Sequence, residues 1–258
     1  MTNTILPWIA DSQTKDDVIN GNLKVINSVL KEKSLDDVLR WAYQATDKGI
    51  QLLPVTSFGP SGLVILHRME QLGFLQKVVS IDTLHLFPET YLFIESWKLA
   101  HESIPLFIYK PKSFENKQAF DNRFGYDFYR TNPYMYSQIS KVEPLRRALV
   151  EHNPKIWITG RRRSQGGERS FLEILELDEQ KHMKLNPLAY WSSDDVWNYI
   201  KKYNIPYNSL HDQGFTSIGD VMSTSFPLEG GGERSGRFLG FSTSECGCHS
   251  NTIDFLEY

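Results

Sequence analysis

The sequence predicts an α/β protein built on a parallel sheet, and three observations carry that prediction. Short apolar runs at 51–56, 77–81, 105–109 and 155–159 read as buried strands. Stretches with helical spacing at 63–72, 89–101 and 144–152 alternate with them, the pattern of βαβ units. The chain's 258 residues, 40% hydrophobic and 23% charged, suffice for a sizeable core without disulfide or metal staples.

Before the first strand, residues 1–50 read as a helical amino-terminal extension. Within it Ser34 and Asp37 form a capping pair ahead of Leu35, Val38, Leu39, Trp41 and Ala42. The strands and helices of 51–203 form the α/β core. Ser192 and Asp195 repeat the capping pattern before a last amphipathic helix through Val196, Trp197, Tyr199 and Ile200. Beyond Tyr203 the chain is rich in Gly, Ser, Asp and Pro, and 204–258 reads as a mobile carboxy-terminal segment of the same single domain.

Composition excludes several classes. With 28 Lys+Arg against 31 Asp+Glu and a pI near 6.2, the chain is a poor nucleic-acid binder, so an anionic ligand needs a local basic cluster. The longest uncharged stretch, 49–66, contains Pro54, Pro60, Gly59 and Gly62 and does not read as a membrane span. The amino terminus lacks the basic and apolar regions of a secretory signal. The two cysteines, Cys246 and Cys248, would close a strained ring if paired and cannot alone complete a zinc site, which favours a reducing, cytoplasmic setting.

Four segments carry candidate chemistry. Thr56, Ser57, Phe58, Gly59, Pro60, Ser61 and Gly62 join a strand to a helix: either an ordinary turn or a place where backbone N–H groups meet an anion, without the dinucleotide or P-loop fingerprint. Asp82 and Thr83 follow the next strand, where open α/β sheets bind ligands, though both are also common turn residues. Arg161, Arg162 and Arg163, then Gln165 and Arg169, follow the 155–159 strand and offer bidentate donors to phosphate or sulfate; otherwise they form a solvated face.

The fourth segment is Glu245, Cys246, Gly247, Cys248 and His249, preceded by a glycine-rich run with Arg234 and Arg237. An ordinary thiol is only ~3% thiolate at pH 7, whereas a pKa lowered to about 6.5 makes it ~75% thiolate. Arg234, Arg237 and His249 are the groups that could lower it. The plain alternative is a disordered end with incidental thiols. The remaining histidines show no metal-ligand spacing with the Cys-x-Cys, so no metal is expected.

In this order the segments resemble the thioredoxin-dependent phosphoadenylyl-sulfate (PAPS) reductases over roughly 52–250. The resemblance also takes in Leu86 to Tyr91, Lys141 to Leu145, and Gly219 with Asp220. It implies the adenine nucleotide α-hydrolase-like fold, related to the ATP pyrophosphatases, with a catalytic carboxy-terminal tail. It implies Cys246 as the nucleophile, forming an S-sulfonate that thioredoxin resolves to sulfite, with adenosine 3′,5′-bisphosphate released. His249 and Arg237 would support catalysis as the tail closes. Ser57, Phe58, Gly59 and Gly62 would form the phosphate loop, with Asp82 and Thr83 near the nucleoside. Lys141, Arg162, Arg163, Gln165 and Arg169 would bind the phosphates and sulfate, and Gly219, Asp220 and Arg234 complete the expected substrate-binding set.

The related adenylyl-sulfate (APS) reductases carry an iron–sulfur cluster, whose ligand positions correspond here to Tyr136, Ser137, Asp220 and Ser223. No bound cofactor is therefore expected, and the 3′-phosphorylated substrate is favoured. Cys248 stands where the family usually has an aliphatic residue, either a bystander or a resolving thiol. The resemblance implies a homodimer. Alternatives are a cluster-free APS reductase, an ATP-dependent sulfate- or nucleotide-activating relative, and a non-catalytic nucleotide-binding module. The cysteine-bearing tail separates the reductases from the last two, which have no need of it.

Overall fold

The computed structural model describes residues 16–178, 182–240 and 245. Two helices open the described chain, α1 (Asp16–Leu30) and α2 (Leu35–Ala45). Ser34 caps α2 as its spacing predicts, its hydroxyl accepting from the Asp37 N–H at 3.2 Å. The buried face of α2, with Val38, Leu39 and Ala42, enters the main apolar core.

The strands are β1 (Leu52–Pro54), β2 (Val78–Ile81), β3 (Leu106–Tyr109), β4 (Ile156–Ile158), β5 (Leu175–Leu177) and β6 (Met183–Leu185). β1, β4 and β6 run parallel, while β5 returns antiparallel to β6 as a hairpin partner that the sequence reading did not include. β2 and β3 form a separate parallel pair, joined to β1 by a single bridge between Val55 and Val79. Pro54 explains the near-separation. Alternate N–H groups of a parallel strand face opposite neighbours. Val55 donates to Ile158 of β4 at 3.0 Å and Thr56 to Val79 of β2 at 2.9 Å. The proline nitrogen at 54 falls on the β2 side, where it has no hydrogen to give.

The spatial order is β3-β2-β1-β4-β6-β5. Helix α3 (Pro60–Gln71) carries the chain from β1 towards β2, whereas β4 pairs on β1's other side. The order in which strands are added reverses between β1 and β4, which makes their carboxyl ends the topological switch point, where open α/β sheets bind ligands.

Helix α1 braces the far edge. Asn27 donates from Nδ2 to the Leu175 carbonyl and accepts from the Leu175 N–H, both at 2.8 Å, satisfying one residue of edge strand β5. Arg68 of α3 pairs with Asp36 of α2 through two hydrogen bonds.

Helix α4 (Pro88–Ala100) precedes β3. A run of short helices follows: α5 (Lys117–Phe124), α6 (Phe128–Thr131) and α7 (Pro133–Ser137). They surround a second cluster of Leu84, Phe120, Tyr129, Tyr136, Ile139 and Phe238. Pieces of 8, 4 and 5 residues are shorter than the roughly 11-residue window over which helical spacing can be read, so the spacing rule could not find them. A π-helical turn, Gln138–Val142, then leads into α8 (Glu143–His152). The ring of Pro144 would collide with the carbonyl four residues back, and a widened turn before it relieves that clash. Helix α9 (Ser193–Lys202) begins in a full capping box, Ser192 Oγ accepting from the Asp195 N–H at 3.0 Å and Asp195 Oδ2 from the Ser192 N–H at 2.8 Å. None of the described helices is long and apolar enough to cross a membrane.

Candidate active site

A cleft of about 270 Å³ opens at the switch point, lined from several directions. The β1–α3 loop supplies Thr56, Ser57, Gly59, Ser61 and Gly62, and the loop after β4 supplies Thr159, Gly160, Arg161, Gln165 and Arg169. Lys141 enters from the π-helical turn, and the carboxy-terminal segment closes the cleft with Thr216 to Asp220, Glu233, Arg234, Arg237 and Glu245.

The two loops approach too closely for side chains. A Cβ on Gly160 would lie 2.9 Å from the Gly62 nitrogen and 3.0 Å from Ser61 Cβ, and one on Gly62 would lie 2.3 Å from Thr56 Oγ1. That Thr56 hydroxyl accepts from the Phe58 N–H at 2.9 Å, holding the turn. Phe58 itself has φ +57°, a conformation rare for a bulky residue. Its ring is buried against Phe93 and Trp97, below the cleft rather than in it. Ser57 and Gly59 face the opening at the amino end of α3, where unsatisfied N–H groups favour an anion.

The three arginines separate. Arg161 lines the cleft and pairs with Glu176 of β5 at 3.3 Å. Arg162 is buried behind it, donating to Ser61 Oγ at 2.8 Å, to Ser164 Oγ at 2.6 Å and to both oxygens of Glu233 at 2.7 and 2.5 Å. Arg163 turns away onto Glu173 and the face of Tyr190. Arg162 follows Arg161 in extended backbone and points the other way, and Arg163 begins a 3₁₀ turn that swings its side chain off the cleft, so the triplet does not present all its guanidiniums to one ligand.

Asp82 and Thr83 also divide. Thr83 lines the cleft. Asp82 is buried, its Oδ1 accepting from Tyr91 Oη at 2.7 Å and from the Leu84 N–H at 2.8 Å, which fixes the turn after β2. That turn holds the carboxy-terminal segment, because the His85 carbonyl accepts from the Val221 N–H at 2.9 Å.

Asp220 is the hub of the far wall. Its carboxylate is fully buried and takes Lys141 Nζ at 2.8 Å and Tyr136 Oη at 3.0 Å on Oδ2, with Ser223 Oγ at 2.6 Å and Ser223 N–H at 2.8 Å on Oδ1. Burial alone would raise its pKa; the charge and hydrogen bond of Lys141, the Ser223 hydroxyl and Arg237 outweigh it and hold the carboxyl at about 2. Ser223 passes the order on, accepting from Arg237 Nε through its carbonyl at 3.0 Å and from Nη2 through its hydroxyl at 3.1 Å. The Arg237 guanidinium lies against Gly219, where a Cβ would sit 2.2 Å from Nη2.

No substrate-binding or catalytic role is expected from the sequence for Glu233 or Glu245, although Glu245 opens the fourth segment. Glu245 pairs with Arg169 through two hydrogen bonds, at 2.6 and 2.8 Å, and lies 3.6 Å from Arg234. Its pKa is lowered: burial pushes it up, but the hydrogen bonds and charge of Arg169, with Arg234 and Arg161, prevail. A search for cations passes over such residues; the signal in the sequence is that each acid directly precedes a residue already singled out, Arg234 or Cys246. Cys246, Cys248 and His249 lie outside the described residues.

An anion cleft at the switch point of a parallel sheet defines the class: an α/β nucleotide-binding protein. Residues 51–226 match the phosphoadenosine phosphosulfate reductase domain, and the chain belongs to that family. It is 38% identical over 241 residues to phosphoadenosine phosphosulfate reductase of Emericella nidulans, covering 92% of this chain and 78% of the relative. It is also 35% identical to adenosine 5′-phosphosulfate reductase 2 of Bacillus subtilis, over 83% of this chain and 88% of that one. The crystal structure of PAPS reductase from Candida auris, a phosphate complex, superposes with a TM-score of 0.72 at 34% identity, covering 84% of this chain and 100% of the other. The fold is the adenine nucleotide α-hydrolase-like one.

Proposed function

We propose that the protein reduces 3′-phosphoadenylyl sulfate to sulfite, releasing adenosine 3′,5′-bisphosphate, the oxidoreductase step of sulfate assimilation. The observation that carries the reading is a cleft at the switch point bearing Lys141, Arg161, Arg169, Arg234 and Arg237 in a chain of this family. The nucleotide lies across the carboxyl ends of β1 and β4, with Thr83 towards the nucleoside and the loop of Ser57, Gly59 and Gly62 on the phosphates.

Cys246 is the nucleophile. Its thiolate attacks the sulfur of the sulfo group, a Cys Sγ–S bond forms as the S–O bond breaks, and the electron pair leaves on the bisphosphate. Lys141 and Arg237, held by Asp220 and Ser223, face the charge that develops on the leaving phosphate. A thiolate of reduced thioredoxin attacks Cys246 Sγ, expelling sulfite. The second thioredoxin thiol then frees Cys246, so the dithiol supplies both electrons. His249 assists at the closed tail, and Cys248 is a bystander. Homodimerisation and a cytoplasmic setting accompany this reading.

No iron–sulfur cluster takes part. Tyr136 and Ser223, two of the corresponding positions, donate their hydroxyls to the carboxylate of Asp220, a third, which pairs with Lys141, so these positions offer oxygen alone, and such clusters are held by thiolates.

The test is mass spectrometry after mixing the protein with PAPS in the absence of thioredoxin. An SO₃ adduct on the Cys246 peptide is expected, and sulfite release by Cys246→Ser would refute the assignment. The likeness to the Bacillus APS reductase favours a second substrate reading, so the same assay with APS decides which nucleotide reacts faster.

A further inference from the structure

Arg169 lines the cleft already engaged by acceptors of the protein itself. Its Nε donates to Glu245 Oε1 at 2.6 Å, Nη2 to Oε2 at 2.8 Å, and Nη1 to Gln165 Oε1 at 2.6 Å. The paired side chains are 11% and 10% exposed, and Arg234 Nη2 lies 3.6 Å from the same carboxylate. A fork-to-fork pair of this kind fixes direction as well as distance. It joins residues 76 positions apart, and one peptide step beyond Glu245 comes Cys246. Successive Cα atoms are about 3.8 Å apart.

We propose that Glu245 is a positioning residue, whose ion pair with Arg169 and Arg234 docks the segment bearing Cys246 and stays intact while the sulfo group is transferred. The inference rests on Cys246 being the nucleophile. It follows from adjacency: an anion of the substrate that displaced Glu245 from Arg169 would draw Cys246 away from the sulfur it attacks. Arg169 and Arg234, which the resemblance places on the substrate, are in this proposal held by Glu245 and serve to dock the segment.

Two measurements on Glu245→Gln and Glu245→Asp test it, after thermal melting shows both folded: the rate of SO₃ transfer to Cys246 at saturating PAPS without thioredoxin, and the Kd for adenosine 3′,5′-bisphosphate. Loss of a hydrogen-bonded charge at a desolvated site predicts at least a roughly tenfold slower transfer in Glu245→Gln. The bisphosphate Kd should stay within about twofold, and Glu245→Asp should recover part of the rate. An unchanged transfer rate overturns the proposal. So does tighter bisphosphate binding, which would make Glu245 a competitor for the substrate's site. Absence of any adduct in the unsubstituted protein is a different failure, that of Cys246 as nucleophile.

Discussion

The cleft has two halves built on different physics. The half formed by the loops after β1 and β4 is set by the backbone: parallel hydrogen bonds, a turn held by Thr56, and glycines where no Cβ fits. The half from 216 to 245 contains none of the sheet strands and is set largely by charge: Asp220 on Lys141, Glu233 on Arg162, Glu245 on Arg169. Backbone contacts scarcely respond to pH, whereas each carboxylate contact is lost on protonation. The comparison assigns geometry to the first half and responsiveness to the second.

The largest expected effect breaks the charged half at its hub. Asp220→Ala leaves Lys141 buried without its counter-ion and should cost about 3–5 kcal/mol in urea unfolding at pH 7. The pair Lys141→Met with Asp220→Leu should recover much of it. A cost below about 1 kcal/mol for the single change would mean that charge does not hold this wall.

Acid should separate the halves next. The Asp220 carboxyl is ordinarily near 3.8 and lies at about 2 in the folded protein, so its contribution is present above pH 4 and lost as pH falls towards 2. That contribution is about 2 kcal/mol by linkage. Denaturation curves between pH 5 and pH 2 should show the loss, and Asp220→Asn should flatten it over the same interval.

In the backbone half, Gly160→Ala forces its new methyl against the Gly62 nitrogen. Bisphosphate binding measured by calorimetry should weaken roughly tenfold, about 1.4 kcal/mol, without altering the acid limb. Unchanged binding would show that the loops need not touch. The smallest effect is a control outside both halves: Ser192→Ala removes the α9 cap and should cost about 1 kcal/mol in stability, with bisphosphate Kd unaffected.

The two halves also differed in how far the sequence announced them. Strands 51–56, 77–81 and 155–159 were legible because a strand buried on both faces reads as a continuous apolar run; 105–109 shows the same run although Phe107 and Ile108 are exposed on this edge strand, and the Ser192 capping box was legible because its partners lie three residues apart. Lys141, Gln165 and the glycines of the β1–α3 loop were legible from the family's motifs and do meet in one cleft. Arg162 and Arg163 were credited with the ligand, yet their neighbour Arg161 lines the cleft, since side-chain direction in the triplet depends on how the strand ends. The β5–β6 hairpin stayed hidden because Glu176 and Lys184 stand in the middle of its strands and break the continuous apolar run that marks β1 and β4.

By itself, then, the sequence determined the α/β alternation, the family, and which segments carry the chemistry, because these rest on local spacing and short motifs. Only the tertiary structure decided which cation faces the cleft and which is already paired with a carboxylate. Those choices depend on contacts between residues 71 to 101 positions apart, Glu233 and Ser61 on Arg162, Glu245 on Arg169 and Asp220 on Lys141 among them. No local spacing rule reaches across such intervals; the folding of the sheet brings them together.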